Sequence, residues 1–390
     1  MRSKIQIFMV AALALGLMFS SAILVAAQDK KGGTLTIAEY WEPNSLDPHV
    51  SDSRHMRFIG YQLFDSLVVN TPDGKIHPHL AKDWEVSDDK LHYTFYLRED
   101  VEFHDGTKFD AEAVKYNFER IVDPDTGSLM LAHELSNFES AEVLDEYTVR
   151  INFSEPVGTF MWTLASWKVG MVSPKAAKDL GPKEFGFEPV GSGPFEFVEW
   201  VPQEKIVLKR NEDYDWAPEI YDHQGPAYLD KVVVRYITEA ATRTAALETG
   251  EIDIAYRPSE FQMSKFESMP GYEVKQSLVP GTGSLFVLNT NKPPLDNRKV
   301  RRALNLWLDR EKAIQGAWAG VYPPNYGALS PNTLGFNEEA AEMNHMDREK
   351  AKELLSEAGW EDTDDDGVLE RDGEEFELKI YSCGDATKYP

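Results

Sequence analysis

The stretch that most constrains the fold of this chain runs from Leu91 to Val122, LHYTFYLREDVEFHDGTKFDAEAVKYNFERIV. Its first eight residues alternate between apolar and polar side chains, which predicts a half-buried strand. The Asp-Gly pair at 105–106 marks a turn. Asp110 is then placed to cap a helix whose apolar residues recur at helical spacing as far as Ile121. The stretch therefore predicts a strand, a turn and a capped helix within one compact unit.

The remainder of the chain alternates between strand and helix patterns. Residues 232–236, 240–249 and 252–255 have the patterns of a strand, a helix and a second strand, an order that favours parallel strands. The first strand is predicted at Thr34–Tyr40, and further strands at Leu285–Asn289 and Phe376–Tyr381. Asp347 is placed to cap a helix that runs to Ala358 and is stopped by Gly359. No repeat and no low-complexity linker interrupts the alternation. The sequence thus predicts an α/β protein, and its 390 residues suggest two or more domains.

The balance of charge limits the partners that this chain can bind. It has 66 acidic and 40 basic residues, a formal net charge of −26. Such an excess of acid argues against nucleic acid or an anionic membrane as the main partner. Solubility is a sufficient reason for the charge, and a protein of this kind is predicted to be a monomer.

The first 27 residues have the pattern of a secretory signal. Arg2 and Lys4 precede an apolar run at 7–19, and small residues at 25–27 offer a cleavage site. An uncleaved membrane anchor is the alternative, because the apolar stretch is long for a signal. No cysteine follows the run, so a lipid anchor has no attachment site. The sequence predicts an exported, periplasmic protein.

Catalytic and cofactor motifs find little support in the sequence. The lone cysteine, Cys383, excludes an intramolecular disulfide and a cysteine-rich metal site. There is no G-x-S-x-G elbow, no H-E-x-x-H and no phosphate-binding G-x-x-x-x-G-K. We therefore predict a protein that is not an enzyme and that carries no cofactor.

Several segments share a resemblance to one family. The run YTFYLREDVEFHDGTKFDAEAVKYNFER resembles the signature of the family 5 extracellular solute-binding proteins, the oligopeptide-, dipeptide- and nickel-binding components of ATP-binding-cassette (ABC) importers. GGTLTIA and SLDP near the start, then PVGSGPFEF, ALETGEIDIAY and LNTNKPPLDNRKVRRALNLWLDREK, resemble the same family in the expected order. The resemblance extends from about Gly32 to Ile380.

The resemblance implies a two-lobed, hinged fold of the periplasmic-binding type (class II, dipeptide-binding-like), with an extra subdomain in lobe I. Family members continue well beyond residue 390, so lobe II is expected to be incomplete and the chain to be a truncated product or partial record. The implied domains are the signal at 1–27, lobe I at 28–64 and 187–282, the inserted subdomain at 65–186, and lobe II at 283–390.

The resemblance also implies where a ligand binds. In oligopeptide-binding relatives the segment after SLDP offers main-chain groups to the peptide, and here that segment includes Asp52, Ser53 and Arg54. An ordinary surface loop is the alternative. Trp41 follows the first strand, at the end where open α/β sheets bind ligands. It is predicted to stack on a ligand, with a buried loop anchor as the alternative.

A second part of the pocket is expected at Leu129 and Met130, in a loop that corresponds to a pocket-lining region of the family. Taken alone, Met130 is better explained by core packing. In peptide-binding relatives, an aspartate on a late loop of the second lobe pairs with the amino terminus of the ligand. That loop is expected beyond residue 390.

Two clusters raise the question of metals. Asp362, Asp364 and Asp366 begin a D-x-D-x-D-G pattern like that of a calcium loop, but the twelfth position, which should be glutamate, is Gly373. A solvated acidic hairpin is the preferred interpretation, and calcium is the weaker one. The two histidines of a His-Pro-His motif at 77–79 make a weak nickel site, because no third donor is close in sequence.

The leading hypothesis is a periplasmic protein that captures peptides by hinge closure and delivers them to an inner-membrane permease. The first crossover between lobes is predicted at 279–290, with Gly281, Gly283 and Asn289 in the hinge. The same family binding another solute, a nickel complex or an oligosaccharide, is the alternative. A secreted hydrolase or a calcium-binding surface protein is a distant third.

Overall fold

The computed structural model describes residues 31–381, and the chain divides into two compact units after Arg257. The predicted signal sequence and Cys383 lie outside the described residues. The predicted domain boundaries and the hinge stay predictions.

The strands are short, and most of them belong to the first unit. They are β1 (Thr34–Glu39), β2 (Val68–Asn70), β3 (Ile76–Pro78), β4 (Ala81–Val86), β5 (His92–Leu97), β6 (Phe138–Asp145), β7 (Thr148–Phe153), β8 (Phe195–Val201), β9 (Lys205–Arg210), β10 (Lys231–Tyr236) and β11 (Ile254–Ala255), followed in the second unit by β12 (Glu370–Arg371) and β13 (Glu374–Glu375).

Helices occur in both units. They are α1 (Met56–Leu63), α2 (Ala111–Val122), α3 (Leu129–Glu134), α4 (Phe160–Leu164), α5 (Pro174–Phe185), α6 (Ala240–Glu248), α7 (Glu260–Ser268), α8 (Arg298–Trp307), α9 (Arg310–Trp318), α10 (Glu338–Glu342) and α11 (Arg348–Ser356). Within residues 31–381, none of the helices combines the length and the apolar character that crossing a bilayer requires.

The main sheet of the first unit has the order β11-β1-β10-β9-β8. The strand–helix–strand predicted from 232 to 255 is confirmed, and β1 lies between its two strands, parallel to both. Glu39 stands opposite Tyr236, and Ala38 opposite Ala255. The carboxyl ends of three parallel strands therefore meet at one edge of this sheet.

Apolar residues that alternate along these strands hold the sheet against α1. Ile37 and Val234 are buried on it, together with Leu63 and Phe64 at the end of α1. Burying a side chain of this size contributes about 1.5–3 kcal/mol. This core fixes the sheet edge on which the candidate site is built.

The inserted subdomain is an antiparallel sheet of order β4-β5-β7-β6 with α2 packed on it. The predicted strand and capped helix are both confirmed, and the Asp110 carboxylate accepts a hydrogen bond of 2.9 Å from the Ala113 N–H. The Phe160 ring lies within 4.7 Å of the Tyr93 ring and 4.6 Å of the Phe153 ring, measured between centroids. Edge-to-face packing of this kind adds to the gain from area burial alone.

Two glycines allow the loop of the PVGSGPFEF segment to lie directly on α1. A Cβ added at Gly191 would stand 2.0 Å from the carbonyl oxygen of Leu63, and one at Gly193 would stand 2.4 Å from that of Gln62. Because both obstacles are backbone atoms, they cannot move aside as a flexible side chain does. The glycines are therefore required by close approach of two backbones.

We expect Gly191→Ala to destabilise the first unit by about 1–3 kcal/mol or more, because the methyl group forces the loop away from α1. Urea denaturation followed by tryptophan fluorescence measures the change. Gly158→Ala is the matched control, since a Cβ there meets no atom within 4 Å. Equal stability of the two variants would show that the loop shifts at no cost.

The second unit has a small core between α8 and α11, made by Val300, Ala303, Leu306, Ala351, Leu355 and Trp360. The Asp347 carboxylate caps α11, and Gly359 adopts a φ of +82° just beyond it, as the sequence predicted.

The predicted strand at Leu285–Asn289 is wrong for the chain that the structure describes. Residues 285–287 form no strand there, and their side chains are mostly exposed. A strand is defined by hydrogen bonds to a neighbour, and none of the strands of residues 31–381 pairs with this segment. The strand predicted at 376–381 is absent from the described chain for the same reason. Apolar alternation predicted both strands, but a strand also requires a partner.

Candidate ligand-binding site at the strand ends

The candidate site is built on residues that directly follow two neighbouring parallel strands. Tyr40 and Trp41 follow β1, and Tyr256 and Arg257 follow β11. Carboxyl ends of parallel strands are where open α/β sheets bind their ligands, because loops there diverge and leave a crevice.

Four rings form what we call the aromatic cluster: Tyr40, Trp41, His55 and Tyr256. Tyr40 stacks on Tyr256 with 6.2 Å between ring centroids, and His55 meets Tyr40 edge-on at 4.6 Å. Trp41 lies 6.4 Å from His55, and 59% of its surface is exposed. The cluster therefore leaves two aromatic side chains, Trp41 and Tyr256, accessible beside the strand ends.

The buried guanidinium of Arg243 on α6 ties this edge together. It donates to the carbonyl oxygens of Ile237 at 2.6 Å and Thr238 at 2.9 Å, just after β10. It also donates to those of Tyr256 at 3.1 Å and Arg257 at 2.6 Å, just after β11. Since the rigid fork of arginine spans all four acceptors, it fixes both strand ends.

Two cations flank Tyr40. The guanidinium carbons of Arg243 and Arg257 each lie 5.5 Å from the centre of its ring. Attraction to the ring face contributes about 0.5–1 kcal/mol at exposed sites and more where water is excluded. Arg257 is exposed, whereas Arg243 is buried, so only Arg257 presents its charge to solvent.

A buried carboxyl group, Glu39, lies beneath the cluster. Its Oε2 atom is 3.5 Å from Nδ1 of His55, and among the described residues no group donates a hydrogen bond to it. Burial raises the pKa of Glu39 to about 7, against the opposing effect of Arg243 and Arg257. Burial, with Arg54 and Arg257, lowers the pKa of His55.

The loop that follows β1 is held to the sheet by Glu42. Its Oε1 atom accepts hydrogen bonds from the indole Nε1 of Trp200, at 2.6 Å, and from the main-chain N–H of Gln203, at 2.9 Å. Glu42, the residue after Trp41, thus attaches this loop to the β8–β9 hairpin.

The same loop is anchored again by a buried ion pair to the subdomain. The two carboxylate oxygens of Asp47 accept from Nη1 of Arg120 at 3.1 Å and from Nη2 at 2.5 Å. Nδ1 of His49 accepts from Nη1 of Arg120 at 2.8 Å, which leaves its Nε2–H to donate to the Gly170 carbonyl at 3.1 Å. Burial, with Arg120, lowers the pKa of His49 to about 3, so this imidazole is neutral.

The residues predicted after SLDP lie in the turn that precedes α1. Asp52 and Arg54 are exposed, and the Ser53 hydroxyl accepts from the N–H of His55 at 3.3 Å. His55 connects this turn to the aromatic cluster that includes Trp41. The structure thus joins two predicted regions through a residue that was not predicted, and their role in binding stays a prediction.

Leu129 and Met130 lie elsewhere, on α3 of the subdomain. Their exposed fractions are 81% and 51%. The prediction that Met130 packs in a core is therefore wrong, because its side chain lies at the first turn of a short helix whose buried residue is Leu131. A pocket-lining role for the pair stays a prediction.

Sequence reasoning missed most of the candidate site. Glu39, Tyr40, His55, Tyr256 and Arg257 were not singled out, although the rule that selected Trp41 applies equally to the end of the strand predicted at 252–255. The position of β1 between β10 and β11 was the missing information, because it places the two strand ends side by side.

In the structure a fourth acidic residue, Glu370, lies beside the three aspartates of the D-x-D-x-D-G pattern. Single carboxylate oxygens of Asp362, Asp364, Asp366 and Glu370 all lie within 4.8 Å of one another. Gly373, at the twelfth position, falls in the turn between β12 and β13. The three aspartates are exposed, and calcium binding by them stays a prediction.

The two histidines of the His-Pro-His motif differ in their surroundings. His77 is half-buried and 3.4 Å from the Thr71 hydroxyl, whereas His79 is buried with Nε2 at 3.4 Å from Asp65. Burial, with Arg98, lowers the pKa of His79 to about 3. A nickel site at this motif remains the weak hypothesis that the sequence suggested.

The predicted hinge residues lie in the second unit. The Gly281 N–H donates to the Thr333 hydroxyl at 2.7 Å, and the Gly281 carbonyl accepts from Ser330 N–H at 2.8 Å. Gly283 and Asn289 belong to the exposed segment that follows. A hinge at these positions stays a prediction.

The fold is that of the two-lobed periplasmic binding proteins of the dipeptide-binding type, as two solved structures show. The ABC transporter-associated periplasmic binding protein DppA from Helicobacter pylori, solved with the peptide STSA, is 32% identical to this chain, with a TM-score of 0.70. The match covers 86% of this chain and 68% of DppA. NikA from Brucella suis, solved with Fe(III)-EDTA, is 27% identical to this chain, with a TM-score of 0.74. The match covers 88% of this chain and 68% of NikA.

The chain belongs to the bacterial extracellular solute-binding proteins, family 5, whose model matches residues 75–388. The glutathione-binding protein GsiB of Salmonella typhimurium is 33% identical over 319 residues, which are 82% of this chain. The chain spans 60% of the length of that relative. The family resemblance and the fold class predicted from the sequence are confirmed, and the matched relatives are binding proteins rather than enzymes.

Proposed function

We propose that this protein is the periplasmic substrate-binding component of an ABC importer, and that it captures peptides and delivers them to a membrane permease. A ligand that contacts both lobes only in a closed form shifts the population toward that form. The permease recognises the closed form, and other components of the importer hydrolyse ATP.

The aromatic cluster is the observation that carries this proposal. Its exposed Trp41 and Tyr256 offer flat apolar area, and the neighbouring Arg257 offers a charge, at the strand ends where α/β proteins bind ligands. Peptides combine apolar side chains with charged termini, which is the pairing that such a surface suits. The similarity to proteins named for glutathione and peptide ligands supports the same class.

A metal chelate is the second candidate, and the likeness to NikA bound to Fe(III)-EDTA favours it. An aminocarboxylate chelate is anionic and would meet the same exposed guanidinium as a peptide carboxylate. The two candidates therefore differ in the ligand and share the site.

Native mass spectrometry of residues 28–390, exported to a periplasm and purified without denaturant, tests the proposal first. We expect a distribution of adducts at short-peptide masses, which exchange for added glutathione or tripeptide. Adducts that carry iron or nickel would instead select the chelate. A protein that stays bare with glutathione, tripeptides and Fe(III)-EDTA would contradict both candidates.

Trp41→Ala should weaken peptide binding about two- to tenfold, since stacking on an aromatic ring contributes about 0.5–1.5 kcal/mol. Calorimetric titration with the peptide found above measures the change. Trp162→Ala is the matched control, because this tryptophan is also exposed, at 43%, but lies on α4 of the subdomain. Loss of affinity in both variants, or in neither, would exclude stacking on Trp41.

A further inference from the structure

Arg257 places an exposed cation beside the stacked pair of tyrosines in the aromatic cluster. Its guanidinium carbon lies 5.5 Å from the centre of the Tyr40 ring, and Tyr40 in turn stacks on Tyr256. The guanidinium lies over the ring face, and within residues 31–381 it makes no hydrogen bond or ion pair, so its N–H groups can bind a planar acceptor.

The backbone of Arg257 is fixed although its side chain is exposed. Its φ is +49°, in the left-handed region that non-glycine residues adopt rarely. The buried Arg243 guanidinium holds the carbonyls of both Tyr256 and Arg257. Strained backbone held by a buried residue is typical of functional positions, where a side chain must point in one direction.

The charge around Arg257 favours an anionic ligand group. Arg243 and Arg257 are both close to Tyr40, and the exposed Arg54 precedes His55 in the same region. Two acids follow β1 in this region: Glu39, which is buried and interacts with Arg243 and Arg257, and Glu42, which is engaged by Trp200. A local excess of cations is unusual in a chain with 66 acidic and 40 basic residues. Such an excess steers and holds a ligand of opposite charge.

We propose that Arg257 is a specificity-determining residue that binds a carboxylate of the captured peptide. Its guanidinium, backed by Tyr40, donates two parallel hydrogen bonds to the carboxylate oxygens. The carboxylate is either the C-terminal group or an acidic side chain, since the chemistry of recognition is the same. This inference rests on the proposed function, because it assumes that the protein binds peptides.

Calorimetric titration of residues 28–390 tests it with three probes: Ala-Glu-Ala, its C-terminal amide, and Ala-Gln-Ala. Arg257→Gln should weaken binding of Ala-Glu-Ala about ten- to a hundredfold, as expected for loss of a charge-assisted pair. One of the two probes that lack one carboxylate, the C-terminal amide or Ala-Gln-Ala, should bind the native protein as weakly as Ala-Glu-Ala binds the variant. Arg257→Gln should not change the affinity for that probe. That probe identifies which carboxylate is bound.

Arg150→Gln provides the matched control, because it removes the same charge from β7 of the subdomain, where Arg150 lies 3.5 Å from Glu142. It should leave all three affinities unchanged. An unaltered affinity of Arg257→Gln for Ala-Glu-Ala, or an equal loss for all three probes, would overturn the inference while the proposed function stands. A native protein that binds none of the probes, nor glutathione, would overturn both.

The pH dependence of the affinity for Ala-Glu-Ala provides a second test, because it would not be expected if Arg257 had only a structural role. The groups that face Glu39 are His55, Tyr236, Arg243 and Arg257. Burial raises the pKa of Glu39 to about 7, so raising the pH from 6 to 8 adds a negative charge beside the bound carboxylate. We expect the affinity for Ala-Glu-Ala to fall about three- to tenfold over this range, and Glu39→Gln to remove the dependence. A slope that persists in Glu39→Gln would assign the titration to another group.

Discussion

Replacing Arg243 with methionine should destabilise the first unit by about 3–5 kcal/mol and abolish measurable ligand binding. Hydrogen bonds to a charged donor contribute about 1.5–3 kcal/mol each, and their effects are not simply additive. Methionine has a similar volume but leaves the carbonyls of Ile237, Thr238, Tyr256 and Arg257 without their donor. Urea denaturation and calorimetric titration measure the two effects separately.

Two further variants make this prediction specific. Arg243→Lys keeps the charge but offers a compact ammonium in place of a planar fork, so we expect an intermediate loss. Arg235→Met removes a half-buried arginine from β10, whose partner is the exposed Glu251, and should cost less than about 1 kcal/mol. If Arg243→Met were as stable as Arg235→Met, the four hydrogen bonds would not hold the strand ends.

Arg120→Met should destabilise the first unit by a comparable amount, about 3–5 kcal/mol, because it leaves a buried charge without its partner. The Asp47 carboxylate has no exposed surface, and Arg120 has only 6%. The substitution also removes the donor to Nδ1 of His49. Denaturation should therefore show a loss of stability, and the loop that carries Asp52–His55 should become more susceptible to limited proteolysis.

A double-mutant cycle separates the ion pair from packing. Asp47→Leu combined with Arg120→Met removes both charges, and we expect the double variant to recover about 1–3 kcal/mol relative to the sum of the single losses. Arg150→Met, at a half-exposed pair with Glu142, should have an effect below about 1 kcal/mol. Strictly additive single effects would mean that Asp47 and Arg120 act independently.

The predictions from sequence that the structure confirmed most closely rest on local patterns. The strand at 92–97, the Asp110 cap, the strand–helix–strand at 232–255 and the capped helix after Asp347 all rest on residues close together in the chain. Period, capping and turn chemistry act over a few residues, so they can be predicted from sequence without tertiary information. The family resemblance extended these local signals to a fold class.

Predictions that depend on a partner distant in sequence were less successful. The pattern at Leu285–Asn289 indicated a strand, but a strand also needs a hydrogen-bonding neighbour. Met130 suited a core by its chemistry, yet α3 leaves it 51% exposed. In both segments the side chains alone do not determine what lies beside them.

The sequence by itself determined that this is an acidic α/β solute-binding protein of family 5, and it selected Trp41 because that residue follows the first strand. Tertiary structure alone decided that β1 lies between β10 and β11, and this placement unites Tyr40 with Tyr256 and Arg257. It also decided that Arg120 meets Asp47, 73 residues earlier, and that Arg243 spans two strand ends. The physical reason is that buried charges and parallel strands are satisfied by partners far away in the chain, which local patterns do not specify.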